Sequence, residues 1–311
     1  MRFVNYYRKC FGDRIRSRPP KEGASKPVNG ILRFFMDYNY IITSGWWCQE
    51  DDSVVDRQFK RGHSFIRSAE FHKVWFKAVD KFTNCKKIYI IDSNSPIKPL
   101  INEEHEILVS LDSNAGHPSM HTGKISGVSR AHLLGMAFAM ANEIDYWVYV
   151  EQDALIYGEG IIEKCIEKMK KPYMFGSGRG TPQPAQHSLM IIKKEAIPKF
   201  IKNFNQIKAK DSEISPEIKF AIATSFFLRL IPEFFYIKMN CEGRVYSYIR
   251  RFVWKLFDLF QGFDDIPFGY GRVRPIDYSQ SHFYFQHGEG DELSSFMRNM
   301  LGYKNVGDYF P

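Results

Sequence analysis

Cysteine is scarce in this sequence, and long apolar runs are missing from it. The 311 residues include five cysteines, an odd number, and no two of them form a Cys-x-x-Cys pair. This pattern argues against a disulfide framework or a zinc site and favours a reducing compartment. The longest apolar runs, 133–141 and 220–228, span about nine residues each, whereas a transmembrane helix needs about 20.

No apolar stretch of secretory-signal length follows the start of the chain. We therefore expect a cytoplasmic protein that is soluble or peripheral, with the inner face of a membrane as the alternative location. Hydrophobic residues make up 44% of the chain and charged residues 25%. These fractions are close to those of globular proteins and exclude disordered, collagen-like and coiled-coil classes.

The net charge of +8 is concentrated at the start of the chain. Residues 1–33 hold nine bases and two acids, while the remaining 278 residues hold 34 bases and 33 acids. Because the body is nearly neutral, it lacks the basic surface that nucleic-acid binding requires, and we expect no nucleic-acid partner. We expect residues 1–30 to form a basic arm and linker, as an amphipathic membrane-surface helix or a disordered tail, and residues 31–311 to form a single domain.

Strand-like and helix-like segments alternate along the body, which predicts an α/β sandwich with a mostly parallel central sheet flanked by helices. We expect strands at 38–43, 87–91, 106–111, 146–150, 173–176 and 188–192, and helices at 65–82, 129–142, 160–169 and 195–204. After about residue 210 we expect a C-terminal helical and aromatic extension, with a helix at 215–230, a strand at 234–239, an aromatic-rich stretch at 246–260 and a last strand at 281–286.

Acidic residues end three of the predicted strands. They are Asp92, Asp112 and the pair Glu151 and Asp153. In open α/β sheets, ligands bind beyond the carboxyl ends of the strands, and Mg²⁺ is held there by one or two carboxylates together with substrate phosphates. Acid-x-acid is also a common way to end a strand, so the spacing alone leaves both interpretations open.

The surroundings of this pair carry a resemblance. A helix opening with Ser129-Arg130, an aromatic strand, Glu151-Gln152-Asp153 and a helix after Gly158 follow one another. This order resembles the GT-A class of nucleotide-sugar glycosyltransferases, which have a Rossmann-type sandwich and an Asp-x-Asp-type motif. The resemblance covers about residues 38–240 and, more loosely, 281–290. Glu151 stands where Asp is usual, so Asp153 is the better candidate for a metal ligand.

The resemblance implies a nucleotide-sugar-binding half, residues 31–160, and an acceptor-binding half, residues 161–311. It implies that Mn²⁺ or Mg²⁺ is held by Asp153, Glu151 and the late His287, with His282 as the competing histidine. The nucleoside diphosphate sugar would contact a larger set of residues: Thr43, Ser44 and Asp92 at the base and ribose, Lys124 and Arg130 at the diphosphate or sugar, and Glu151 and Gln152 near the metal.

An inverting mechanism also needs a carboxylate that activates the acceptor hydroxyl. The candidates are Asp211, Glu213 and Glu217, in the segment after the strand predicted at 188–192. Glu217 also fits a simple structural role, since an acid stabilises the first turn of a helix. A retaining mechanism would need no such base.

We therefore expect a glycosyltransferase that moves a sugar from a nucleoside diphosphate sugar to a hydroxyl of a glycan or lipid-linked glycan. A nucleotidyltransferase acting on a sugar phosphate and a non-catalytic carbohydrate- or membrane-binding protein are the alternatives. The stretch 246–260 mixes Arg250, Arg251 and Lys255 with large apolar residues. It fits a helix lying on an anionic membrane or a helix packed on the body.

Overall fold

The computed structural model describes residues 38–49, 61–118, 121–181, 183–239 and 244–309. The arm and linker predicted at residues 1–30 lie outside the described residues. Among the described helices, none combines the length and the apolar character that crossing a bilayer requires.

The centre of the described chain is a seven-stranded sheet of order β3-β2-β1-β4-β7-β6-β8. Strand β7 runs antiparallel to both of its neighbours, and the other pairs in the sheet are parallel. The prediction of an α/β fold with a mostly parallel sheet is therefore confirmed. The nine strands of the described chain are β1 Tyr40–Trp46, β2 Ile88–Asp92, β3 Glu106–Ser110, β4 Tyr146–Val150, β5 Ala154–Tyr157, β6 Tyr173–Ser177, β7 Ala185–Lys193, β8 Asp264–Asp265 and β9 Phe283–Gln286.

Helices cover both faces of this sheet, so its central strands are apolar on both sides. Successive residues of β1 point to opposite faces: Tyr40 and Ile42 belong to one apolar cluster and Ile41 to the other. The described helices are α1 Phe71–Phe82, α2 Gly127–Ala141, α3 Ile161–Glu167, α4 Ile197–Gln206, α5 Pro216–Thr224, α6 Phe226–Leu230, α7 Glu233–Lys238, α8 Arg244–Phe260 and α9 Gly290–Asn299.

The direction of winding changes between β1 and β4. From β1 the chain moves outward to β2 and β3, and it then returns through α2 to β4 on the other side of β1. A change of this kind opens a crevice at the carboxyl ends of the two strands, and ligands bind in such crevices. Here those ends are Trp46 of β1 and Val150 of β4.

A second, two-stranded sheet stands beside this crevice. Strand β5 pairs antiparallel with β9, from Ala154 opposite Gln286 to Tyr157 opposite Phe283. This pairing brings Gln286 and His287 next to the turn that follows β4, although more than 130 residues separate them in the sequence. The sequence patterns did not predict β5.

Two predictions for the C-terminal part were wrong. The strand expected at 234–239 is helix α7. Glu233 in its first turn and the hydrogen bond from the Tyr236 hydroxyl to the Leu228 carbonyl (2.7 Å) stabilise a helix despite the aromatic composition. The single helix expected at 215–230 is interrupted at Ser225, which has extended backbone and whose side chain caps α6.

Candidate functional site

A cleft of about 440 Å³ lies at the carboxyl ends of β1 and β4, where the winding changes direction. This volume is within the usual range for small-molecule sites, about 300–1,000 Å³. The turn 151–153, His187 near the start of β7, the first residues of α5 and Arg272 all contribute to its lining.

The end of β1 is built for close approach of the α2 helix. A Cβ atom on Gly45 would lie 2.7 Å from the Ala131 Cβ and 2.8 Å from the Tyr149 hydroxyl oxygen. The Gly45 backbone N–H instead donates to that hydroxyl at 3.2 Å. A side chain at position 45 would therefore push α2 away from the sheet.

Gln152, predicted to contact the donor, joins the two loops at the switch point. Its amide oxygen accepts the Trp47 N–H at 2.8 Å, and its amide nitrogen donates to the Trp47 carbonyl at 2.9 Å and the Ile66 carbonyl at 3.1 Å. Because both ends of the amide are used in these bonds, Gln152 fixes the loop after β1 to the turn after β4.

The three predicted metal ligands come together in the cleft. The Gln286 amide nitrogen donates to Glu151 Oε2 at 2.6 Å and to Asp153 Oδ1 at 3.0 Å. His287 Nε2 lies 3.2 Å from Asp153 Oδ2, and the His287 backbone is in the left-handed region, with φ of 57°. His282, the competing histidine, lies instead near Lys164 and the Glu159 carbonyl.

This arrangement does not fit a bound cation. Arg272 Nε donates to the Gln286 amide oxygen at 3.1 Å, which turns the amide NH₂ toward the two carboxylates. The NH₂ group thus occupies the space between Glu151 and Asp153 where a cation would sit. Within the described residues, no group of three or more His, Cys, Asp or Glu side chains is arranged to hold a metal ion.

His187, near the start of β7, lies between two carboxylates. Its Nε2 is 3.2 Å from Glu151 Oε1 and its Nδ1 is 3.3 Å from Glu217 Oε1. Burial alone would lower the pKa of His187, but the charges of Glu151 and Glu217 outweigh it and raise the pKa to about 10. His187 is therefore an imidazolium at neutral pH.

Glu217, at the start of α5, is held as the anion. Burial would raise the pKa of Glu217, but the positive charges of His187 and Arg272 lower it well below the usual range. The Arg272 Nη2 lies 3.8 Å from Glu217 Oε1. A neighbouring histidine, His132, behaves in the opposite way, since burial lowers its pKa to about 3 and keeps it neutral.

Of the three carboxylates predicted to act as the general base, two bind other groups of the protein. The Asp211 carboxylate accepts the Ser126 N–H at 2.8 Å and hydroxyl at 2.7 Å, and pairs with Lys219 Nζ at 2.7 Å. It therefore holds the N-terminus of α2 at the edge of the cleft. Glu213 accepts the Lys210 N–H at 2.8 Å and does not line the cleft. Only Glu217 is close to the other charged groups of the cleft.

The three residues predicted to contact the nucleobase and ribose, Thr43, Ser44 and Asp92, do not line the cleft. The Thr43 hydroxyl, on the α2 face of β1, accepts a hydrogen bond from the Trp147 indole Nε1 at 2.9 Å, and Ser44 is fully buried. Asp92 is also fully buried, and it binds Lys98 Nζ at 2.5 Å and accepts the Ser110 hydroxyl at 2.7 Å. Burial against neighbouring elements, which spacing does not reveal, explains these positions.

The two basic residues predicted to contact the diphosphate also lie outside the cleft. Lys124 Nζ donates to the Asn205 carbonyl at 3.1 Å, and Arg130 is half-buried on α2. Three arginines that sequence reasoning missed, Arg61, Arg67 and Arg272, line the cleft instead. Arg272 follows a glycine at 271 with positive φ, and a glycine-flanked base in a loop is the signal that could have identified it.

No protein-family model matches this chain, and no curated protein has a matching sequence.

Proposed function

We propose that this chain is a glycosyltransferase with a GT-A-like fold, which moves a sugar from a nucleoside diphosphate sugar to a hydroxyl of a glycan or lipid-linked glycan. The proposal rests mainly on one observation. The carboxylates of the turn Glu151-Gln152-Asp153 and three arginines line the same cleft, at the switch point of a mostly parallel sheet.

The arginines supply what a diphosphate needs. Guanidinium groups make charge-assisted and often bidentate hydrogen bonds to phosphate oxygens. Arg272 is already oriented, because its Nε donates to Gln286 and its Nη2 faces Glu217 at 3.8 Å. A cation fixed in this way loses little conformational freedom when an anion binds.

The Arg272 guanidinium also serves the chemical step. When the bond between the anomeric carbon and the diphosphate oxygen breaks and the acceptor oxygen bonds to that carbon, negative charge grows on the departing diphosphate, which takes up the proton of the acceptor hydroxyl. Fixed positive groups stabilise such charge more effectively than water does, since they need no reorganisation. We assign this role to Arg272.

Glu217 suits a charge-holding role better than proton abstraction. A general base works best when its pKa is close to the operating pH, whereas the pKa of Glu217 is lowered by His187 and Arg272. Its carboxylate keeps both cations in place beside the cleft. No step of the proposed reaction passes through a metal ion, because the amide of Gln286 stands between the carboxylates that would hold one.

The test uses the full-length protein with a panel of UDP-sugars and GDP-sugars, with Mn²⁺ and with EDTA, and measures nucleoside diphosphate release. We expect one donor to be turned over, with Arg272→Gln at least tenfold slower, because a hydrogen bond to a charged group contributes about 1.5–3 kcal/mol. Arg130→Gln is the matched control outside the cleft.

Absence of nucleoside diphosphate release with every donor would contradict the proposal. Consumption of a nucleoside triphosphate and a sugar phosphate with release of pyrophosphate would indicate a nucleotidyltransferase instead. Glycan binding without turnover would indicate a binding protein.

A further inference from the structure

Large apolar side chains are exposed in one region of the described chain. Eleven are exposed among the described residues, and eight of them lie on three consecutive helices: Phe226, Phe227 and Leu230 on α6, Phe234 on α7, and Val245, Tyr248, Phe252 and Leu259 on α8. We call this region the α6–α8 face. Clustered apolar exposure of this kind marks an interaction surface, whereas scattered single residues do not.

Helix α8 is apolar on two sides. Val253 and Phe257 are buried against the body, as expected for a packed helix. On the outward side, Tyr248, Phe252 and Leu259 are 68%, 53% and 72% exposed. A surface helix normally carries polar residues on that side, so packing on the body explains only the inner half of the apolar pattern of α8.

Contacts between the helices make the region continuous. The Phe227 ring on α6 lies 4.8 Å from the Phe260 ring at the end of α8. Lys238 Nζ at the end of α7 lies 5.6 Å from the Phe234 ring and 5.8 Å from the Tyr246 ring of α8. The three helices therefore present one surface.

Basic residues are interspersed with these aromatics. Residues 226–260 hold six bases and three acids. The Arg229 guanidinium lies 5.8 Å from the Phe226 ring, and the Arg251 guanidinium lies 5.8 Å from the Tyr248 ring. Exposed aromatic and aliphatic side chains beside Lys and Arg are typical of helices that lie in the interface of an anionic bilayer.

We infer that the α6–α8 face docks on a membrane surface containing anionic lipids. The apolar side chains enter the boundary between headgroups and acyl chains, and the bases contact lipid phosphates. The excess of bases argues against a second copy of the chain as the occupant, because a two-fold pairing places the same patch, and its positive charges, opposite itself.

The position of the face suits a substrate that is held at a membrane. Helix α5 begins with Pro216 and Glu217 at the cleft and ends at Thr224, and only Ser225 separates it from Phe226 at the start of α6. At a rise of about 1.5 Å per residue, a helix of this length covers roughly 13 Å. Docking through α6–α8 would therefore bring the cleft close to the lipid surface, although the docking itself does not depend on the proposed activity.

The experiment is co-sedimentation of the full-length protein with vesicles of phosphatidylcholine and phosphatidylglycerol in a roughly 7:3 ratio, compared with phosphatidylcholine alone. The face variant is Tyr248→Ser/Phe252→Ser/Leu259→Ser. The control is Leu100→Ser/Met140→Ser, which removes exposed apolar side chains outside the face. Circular dichroism and thermal unfolding check that both variants keep the fold, as expected for exposed positions.

We expect binding to the anionic vesicles, at least about a tenfold lower partition coefficient for the face variant, and less than about a twofold change for the control. Raising NaCl from about 0.1 M to about 1 M should weaken binding, because the Debye length falls from about 10 Å to about 3 Å.

Equal binding of the face variant and the wild type, or no binding to anionic vesicles, would overturn the inference. A concentration-dependent dimer in sedimentation velocity that only the face variant loses, without vesicle binding, would identify a second copy as the occupant. No nucleotide sugar is present in these experiments, so their outcome is separate from that of the proposed activity.

Discussion

Replacing His187 by Gln tests the charge arrangement of the cleft. The substitution removes the cation that lies 3.2 Å from Glu151 and 3.3 Å from Glu217. Removal of one partner from a buried ion pair lowers the free energy of unfolding by about 3–5 kcal/mol. Two partners remain, the Gln286 amide at 2.6 Å from Glu151 and Arg272 at 3.8 Å from Glu217. We therefore expect the lower end of the range, about 3 kcal/mol at pH 7.

The effect should depend on pH in a defined direction. Because the folded-state pKa of His187 is raised, to about 10, its protonated form stabilises the folded chain. This stabilisation is complete below about pH 6.5, the pKa of an unfolded-state histidine, and it is lost as the pH rises through the folded-state pKa. Between these limits the wild type should lose about 1.4 kcal/mol per pH unit relative to His187→Gln. The difference of about 3 kcal/mol at pH 7 should fall below about 1 kcal/mol at pH 9.

The assay is urea unfolding followed by tryptophan fluorescence at pH 7 and pH 9. His105→Gln, at a partly buried histidine outside the cleft, is the control and should change the free energy of unfolding little at either pH. A loss for His187→Gln of less than about 1 kcal/mol at pH 7, or a loss that does not change with pH, would contradict a stabilising positive charge on His187.

Three other substitutions follow from the same contacts. Asp211→Asn should lower the free energy of unfolding by about 3–5 kcal/mol in urea denaturation, because it leaves buried Lys219 without its counter-charge. A urea midpoint of unfolding equal to that of the wild type would contradict this. Gly45→Ala should cost about 1–3 kcal/mol in the same assay, since its Cβ meets Ala131 and the Tyr149 hydroxyl; an unchanged stability would mean that α2 moves freely. Gln286→Ala removes the amide between the two carboxylates and should increase Mn²⁺ affinity at least about tenfold in calorimetric titration, because the carboxylate oxygens become free for the cation; equal affinity would show that the amide does not compete.

The sheet could be predicted largely from the sequence, because its strands carry local signals. Strand β4 has the predicted bounds, Tyr146–Val150, since five large apolar residues bounded by Asp145 and Glu151 leave little choice. Strand β5 gave no such signal. Its four residues are stabilised by pairing with β9, more than 120 residues away, which no local pattern reports.

The site could be predicted only in part. The place of Glu151 and Asp153 after a strand predicts that they lie at the edge of the sheet. The structure also places His287 beside Asp153. What each carboxylate binds depends on residues far away in the sequence. Asp92 also ends a strand, but Lys98 and Ser110 surround it, so the same local signal belongs to a structural residue.

Arg272, Gln286 and His187 also depend on contacts between segments that are far apart in the sequence. Arg272 reaches the cleft through the loop before β9 and Gln286 through β9 itself, and apart from the glycine before Arg272 no local pattern marks either residue. The pKa of His187 is raised because β7 places its imidazole between Glu151, in the turn after β4, and Glu217 of α5. A single sequence shows the residue types but not that they meet.

The proposed role of the cleft as a nucleoside diphosphate site is tested by equilibrium titration of UDP and GDP into the full-length wild type, Arg272→Gln and Arg130→Gln. We expect saturable binding of at least one nucleotide by the wild type, affinity at least about tenfold lower for Arg272→Gln, and unchanged affinity for Arg130→Gln. Binding that Arg272→Gln leaves unaltered, or the absence of binding by both nucleotides, would contradict this role.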